Sequence, residues 1–297
     1  MDKDEEAYLL LLLSDGNLPT GSFVASAGLE SYVTHGFFNP LYMLADTPRK
    51  NKLEYVADFI RDSISAYGNS ALAFVSDAHV VVQQAIQSGS PSAIDDILRS
   101  LLSLDDLYET TTLNHITRRA STTQGVALLS LYSKGFSKPT VYVTSQHIES
   151  PEDGRGSSGC AGLLVDKLKL IIRRGETAGH LPICWGVLTA ALGLSLERSQ
   201  FMHLFLCARG ILSAAVRLNI CGPYAAQQLL LHAVQPIVKA EASRCADLRT
   251  GLRHPAPIDG IMFDEEILMQ DGPSMTWPLG EILAARHDLQ HSRVFNS

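Results

Sequence analysis

From Leu53 to Ala85 apolar residues return at every third or fourth position: Leu53, Val56, Ile60, Ile64, Tyr67, Ala71, Val75, Ala78, Val82 and Ala85. This recurrence marks one face of an α-helix; a half-buried strand would alternate instead. A face this long must be covered, and the rest of the chain supplies covering elements of the same kind. Ile94, Ile97, Leu101, Leu104 and Leu107 continue the period, and Phe201, Leu204, Ala208, Ile211, Ala215 and Leu218 repeat it. Leu229, Leu230, Ala233, Val234 and Ile237 follow. Hydrophobic residues make up 46% of the chain, enough to bury a sizeable core. The expectation is an all-α protein, with a single helical-bundle-like domain over residues 1–247 and an irregular, Pro-rich C-terminal tail over 248–297.

Glycine, proline and short polar clusters set the boundaries. A first helix, Ala7 to Leu13, stops at Ser14-Asp15-Gly16-Asn17. A second is expected from Ser22 to about Thr34, then a loop from Gly36 to Lys52. Gly68-Asn69 is a place for the long helix to break or bend, Gly89 ends it, and Ser90-Pro91 starts the next. Leu113 to Ser133 reads as helix up to Gly135. Residues 137–159 differ: Thr140-Val141-Tyr142-Val143-Thr144 looks extended, and Ser150 to Ser158 is Gly, Ser and acid, so a flexible insertion is expected there. Helices resume from Cys160 to Arg174, closed by Gly175, then from Ile183 to Leu194, and Pro236 should kink the last one. Beyond Asp247, Pro255, Pro257, Pro273 and Pro278 leave little apolar period.

The charge balance narrows the function. Asp+Glu total 31 against 24 Lys+Arg, a formal net charge of -7 with no dense basic cluster, which argues against nucleic acid and against an anionic membrane surface. The flank Asp2-Lys3-Asp4-Glu5-Glu6 is acidic, unlike that of a secretory signal. The uncharged stretch Leu181 to Leu196 falls short of the roughly 20 apolar residues of a membrane span. Five cysteines without a Cys-x-x-Cys fit a reducing, cytoplasmic setting.

Three patterns bear on chemistry. Gly154-Arg155-Gly156-Ser157-Ser158-Gly159 spells a dinucleotide fingerprint, the basis of an alternative reading as a nucleotide-cofactor enzyme. It lacks the repeated strand–helix alternation that such a site needs, and Glu149, Glu152 and Asp153 precede it. His287 and His291 stand four apart and would share one helix face, the basis of a direct metal-carrier reading; two imidazoles alone make a weak site. No Walker-type phosphate loop is present, and no catalytic residue or cofactor is assigned. Gly186, Ala190 and Gly193 form a small-residue strip suited to close packing against another helix, internal or of a second subunit.

One stretch carries a resemblance. Leu18-Pro19-Thr20-Gly21-Ser22-Phe23, then Ser26, then Gly28-Leu29-Glu30, resembles the signature of the UreF family of urease accessory proteins. Local physics fits it: Pro19 and Gly21 make the turn, Ser22 can cap a helix, and Ser22, Ser26 and Glu30 would line one face while Ala25, Leu29 and Tyr32 face the core. His180, Pro182, Gly186, Leu192 and Gly193 resemble the family's middle motif. Ala214-Ala215-Val216-Arg217-Leu218, with Gly222 and Gln227, resembles the next. Arg286-His287-Asp288 and Ser292-Arg293-Val294-Phe295 are similar to the C-terminal one. The departures are the insertion at Pro139 to Ser158, of the kind expected of a eukaryotic member such as a fungal one, a missing proline before Gly222, and His291 where an aromatic residue is usual. The resemblance implies an all-α homodimer acting in the cytoplasm as a non-catalytic nickel-insertion chaperone. Its implied partners are apo-urease, a UreD/UreH-type scaffold and a UreG-type GTPase. The tail from about Gly280 is expected to be loosely tethered and to gain order on docking, with Leu283, Leu289, Val294 and Phe295 as anchors.

Overall fold

The computed structural model describes residues 2–38, 51–88, 94–137, 157–252 and 272–297. Among them every regular element is helical and none is a strand, as the periodicity implies. α1 (Lys3–Leu13) begins four residues before the apolar run because Asp2 caps it, accepting from the Asp4 N–H. A 3₁₀ turn (Ser22–Val24) and the short α2 (Leu29–Thr34) follow. α3 (Lys52–Ser88), α4 (Ile94–Thr111), α5 (His115–Leu131) and α6 (Ser157–Arg173) come next. α7 (Leu181–Ala191), α8 (Leu196–Arg217), α9 (Pro223–Leu229), α10 (Gln235–Arg244) and α11 (Pro278–Ala285) complete the fold.

α3 is the axis of the bundle. Of the ten positions picked out by the period, Val56, Ile60, Ile64, Ala71, Val75, Ala78 and Val82 are fully buried and Ala85 nearly so, while Leu53 and Tyr67 are partly buried against the core. α7, α8, α4, α10 and α6 pack around it. Gly68-Asn69 does not break the helix, which runs unbroken for 37 residues. Gly68 is buried where α10 ends: a Cβ there would sit 3.4 Å from Cys245 Sγ, so the missing side chain lets that end come close. α7 and α8 are covered on most sides, and α8, apolar enough by length and composition to cross a membrane, has over half of that stretch buried within the fold.

Two other boundaries differ from expectation for identifiable reasons. The helix expected over Ser22–Thr34 is interrupted, because Ala27 (φ 52°) and Gly28 (φ 82°) both take the left-handed conformation, which no helix accommodates. The bend expected at Pro236 takes the form of a π turn, Leu230–Val234, between α9 and α10. Proline lacks the N–H that would continue the ladder, and a widened turn absorbs the fault. The expected boundaries at Gly89 and Pro91, the extended run at Thr140–Thr144, and Gly154 and Gly156 lie outside the described residues; Gly159 falls in the first turn of α6.

Two core histidines make stability depend on pH. His203 is buried with its ring stacked on Tyr67 and tilted against Trp185, and its Nε2 is hydrogen-bonded with the Tyr67 hydroxyl at 3.0 Å. Burial pushes its pKa down to about 3. His79 is also fully buried, its Nε2 donating to the Leu194 carbonyl at 2.9 Å, and burial lowers its pKa too. In the unfolded chain both titrate near 6.5. The unfolded state therefore takes up protons that the folded state refuses. The stability these residues permit is complete above about pH 6.5 and falls as pH drops toward the folded values. From pH 7 to 4.5, His203 alone should cost about 2–3 kcal/mol. Urea midpoints across that range are expected to decline steadily; a flat profile would contradict the assignment.

Candidate functional site

The Leu18–Glu30 stretch folds as a compact hook. Pro19 is exposed, Gly21 turns the chain in the left-handed region (φ 72°), and the Thr20 and Ser22 hydroxyls lie 3.0 Å apart. Ser22 does not cap an α-helix; it opens the 3₁₀ turn, and Ser22, Ser26 and Glu30 do not share a face. Ser22 is exposed, whereas Ser26 and Glu30 are buried. Gly28 then meets α11: a Cβ added to it would lie 3.3 Å from the Ala284 Cβ. Its left-handed backbone would strain any other residue as well.

Glu30 is the centre of the site. Only 4% exposed, it accepts the Val294 N–H at 2.6 Å through Oε1 and the Phe295 N–H at 3.1 Å through Oε2. His287 Nε2 lies 3.2 Å from the same Oε2. Next to it, Ser31 Oγ donates to the Leu283 carbonyl at 2.5 Å. The Asn296 N–H donates to the Val24 carbonyl at 2.8 Å, and the Ser26 N–H to the Ser297 carbonyl at 2.6 Å. Arg217, at the end of α8, closes the arrangement. Its guanidinium lies between the rings of Phe23 and Phe295, 4.0 and 4.3 Å from their centroids, and donates to the Phe23 carbonyl. A cation shared by two aromatic faces ties both chain segments to the bundle, and burial lowers the Arg217 pKa.

A second carboxylate binds the outer side. Asp288 receives a two-pronged contact from Arg119 of α5 at 2.8 and 2.9 Å and a contact from Arg293 at 2.5 Å, with His115 Nε2 3.6 Å away. Arg119 also donates to the Asn296 carbonyl at 2.6 Å. The Arg119 hydrogen bonds hold the Asp288 carboxyl well below the usual carboxylate range. Arg286 at the end of α11 donates from Nε to His35 Nε2 at 3.0 Å.

The C-terminal residues 278–297 are thus docked on the bundle and already ordered, whereas Pro255 and Pro257, on which the expectation of a loose tether rests, lie outside the described residues. α11 packs on α2 and α5, Leu283 and Phe295 are buried, and His287 is fully buried. The buried N–H of Phe295 and the partly buried N–H of Val294, both met by one carboxylate, favour the docked position. His287 and His291 do not share a helix face: α11 ends at Ala285, a 3₁₀ turn covers His287–Leu289, and Gln290 is extended. His291 is exposed while His287 turns in to Glu30, and no group of three or more His, Cys, Asp or Glu is placed to hold a metal among the described residues.

The middle-motif residues lie in a different part of the bundle. His180 is fully buried, Nε2 2.6 Å from Glu109, in a loop whose Thr177 hydroxyl and Gly179 and His180 N–H groups donate to buried Asp105. Gly186 faces α3 and Gly193 is a left-handed residue just past α7. The sequence does not single out Arg119 or Asp105. Each is one charge among several on an amphipathic helix, and only the fold reveals what it faces.

The outer surface of the clasp is apolar. Leu113 (85% exposed), Leu289 (72%), Phe23 (66%), Val294 (65%) and Ile282 (60%) lie around it. Asn114, whose amide donates to the Glu281 carbonyl, brings the Leu113 end of α5 against α11. The adjoining cleft at Gly21, Val24, Arg119 and Thr123 holds only about 130 Å³. Pockets for drug-sized molecules start at about 300 Å³.

The arrangement is that of an all-helical protein whose two ends are clasped into one surface. Its sequence matches the UreF family model over residues 51–234. It is 41% identical to "Urease accessory protein 6" of Cryptococcus neoformans var. grubii, covering 99% of this chain and 98% of that one. It is 27% identical to an "Uncharacterized urease accessory protein UreF-like" of Schizosaccharomyces pombe over 100% and 99% of the two chains. To "Urease accessory protein UreF" of an Arthrobacter species it is 24% identical over 98% of each. The chain belongs to the UreF family.

Proposed function

We propose that this chain is a non-catalytic urease maturation factor that bridges a UreD/UreH-type scaffold, bound to apo-urease, and the UreG-type GTPase that delivers nickel. It acts in the cytoplasm as a homodimer. It positions the GTPase and couples its nucleotide state to nickel release by differential binding. One observation carries the reading. Residues of the first and last family motifs, Phe23, Ser26, Gly28, Glu30, Arg293 and Phe295, converge with Arg217 on the clasp. The surface they support is apolar and exposed, as expected of a docking face. We assign that face to the scaffold.

The test leaves the clasp intact and changes only its outer surface. Ile282→Asp and Leu289→Asp replace exposed side chains, so thermal stability and helix content should stay as in the parent. Co-purification with the scaffold is expected to weaken at least tenfold. Undiminished capture by both variants would refute the assignment.

A further inference from the structure

We infer that the partner surface received by the clasp is acidic: carboxylates ringing an apolar centre. This inference rests on the scaffold-docking reading above and adds the chemistry of the partner.

The argument starts from where the charges point. The chain as a whole is acidic, with a formal net charge of -7. At the clasp the order is reversed. Its carboxylates are turned inward or already engaged. Glu30 is 4% exposed and taken up by two backbone N–H groups and His287. Glu281 is partly buried, and desolvation raises its pKa. Asp288 is shared by Arg119 and Arg293. The cations face out. Arg119, Arg293 and His115 have side chains 46%, 39% and 65% exposed. Arg286 contacts a histidine, and no carboxylate lies within ion-pair distance of it among the described residues. Two arginines to one carboxylate, plus an arginine with none, leave a positive rim around Leu289 and Ile282.

Such a rim favours an acidic partner by steering and by register, and disfavours a basic one. An anionic membrane is the other class of surface that an apolar, cationic face fits. It ordinarily requires a cluster of roughly 4–8 basic residues, denser than this one, and Asp288 sits in the middle of it.

The test measures affinity for the purified scaffold protein against ionic strength, using full-length chain. Arg286→Glu and the milder Arg286→Gln are compared with Arg173→Glu, an exposed cation at the end of α6 and away from the clasp. Thermal midpoints confirm folding. The expected result is at least a tenfold loss for Arg286→Glu, a smaller loss for Arg286→Gln, a shallower salt dependence for both, and no change for Arg173→Glu. Wild-type affinity and salt dependence in both Arg286 variants, with Ile282→Asp still abolishing capture, would overturn the acidic partner and leave the docking face standing. Equal loss from Arg173→Glu would also overturn it, since the effect would then be one of overall charge. Sedimentation with phosphatidylserine vesicles, without scaffold capture, would replace the protein partner with a membrane. If neither Ile282→Asp nor Arg286→Glu alters capture, the docking reading itself fails.

Discussion

Gly186→Ala is expected to destabilise the protein by about 2–4 kcal/mol, although alanine is the better helix former by about 1 kcal/mol. The added Cβ would lie 2.6 Å from the Val75 carbonyl oxygen, 2.9 Å from the Ala78 Cβ and 3.0 Å from the His79 nitrogen. Two of these three atoms are helix backbone, which cannot rotate away as the tip of a side chain would. α7 must therefore move off α3, and with it the seam lined by Trp185, Val187 and Leu188 loosens. Gly193 supplies the control. It has φ 79°, and a Cβ there would meet nothing within 4 Å, so alanine should cost only the left-handed strain, about 1 kcal/mol. Thermal or urea midpoints of the two variants decide the matter: a Gly186→Ala loss no larger than that of Gly193→Ala would contradict the close α3–α7 contact. Oligomer size should not change in either, because the Gly186 contact is internal.

Glu30→Ala is expected to free the C-terminal segment while the bundle stays folded. The substitution orphans the N–H groups of Val294 and Phe295 and removes the partner of His287, in a largely buried setting. An unsatisfied buried donor costs about 1–3 kcal/mol, so the docked segment loses about 3 kcal/mol or more and opens to regain water. Glu30→Gln keeps one acceptor oxygen but presents an amide N–H₂ where the second oxygen stood, and should fall between. Amide hydrogen exchange at residues 283–297 should rise by roughly two orders of magnitude in Glu30→Ala, the equivalent of that loss. Exchange along α3 and α7 should stay slow. Parental protection at Val294 and Phe295 would show that Glu30 does not hold the segment. Truncation after Gly280 has a different consequence from that of a loosely tethered tail. It removes the contacts that Ala284 and Leu283 make with Gly28 and Ser31, and α2 should fray with it.

The bundle is legible in the sequence because each long helix repeats its buried side chains at a fixed interval, and α3 displays this most clearly. The first motif is legible as a motif, yet its shape is not. Four-residue spacing from Ser22 to Glu30 implies one helix, whereas Ala27 and Gly28 turn it into a hook, and a left-handed alanine has no signature in composition. The C-terminal segment misleads for a related reason. Its prolines and short apolar run describe an element that could not stand alone, and what fixes it is Glu30, 264 and 265 residues away in the chain. His287 and His291 show the same limit. Their spacing matters on a helix, and the helix ends before both.

Because Glu30 meets Val294 and Phe295 across that separation, the clasp cannot form during synthesis until residues 294 and 295 have left the ribosome. The bundle around α3 needs no such wait, since its helices are already complete. A surface built this way exists only where both segments are present in one folded chain. A fragment that stops short of Val294 would fold a helical core and still lack the clasp.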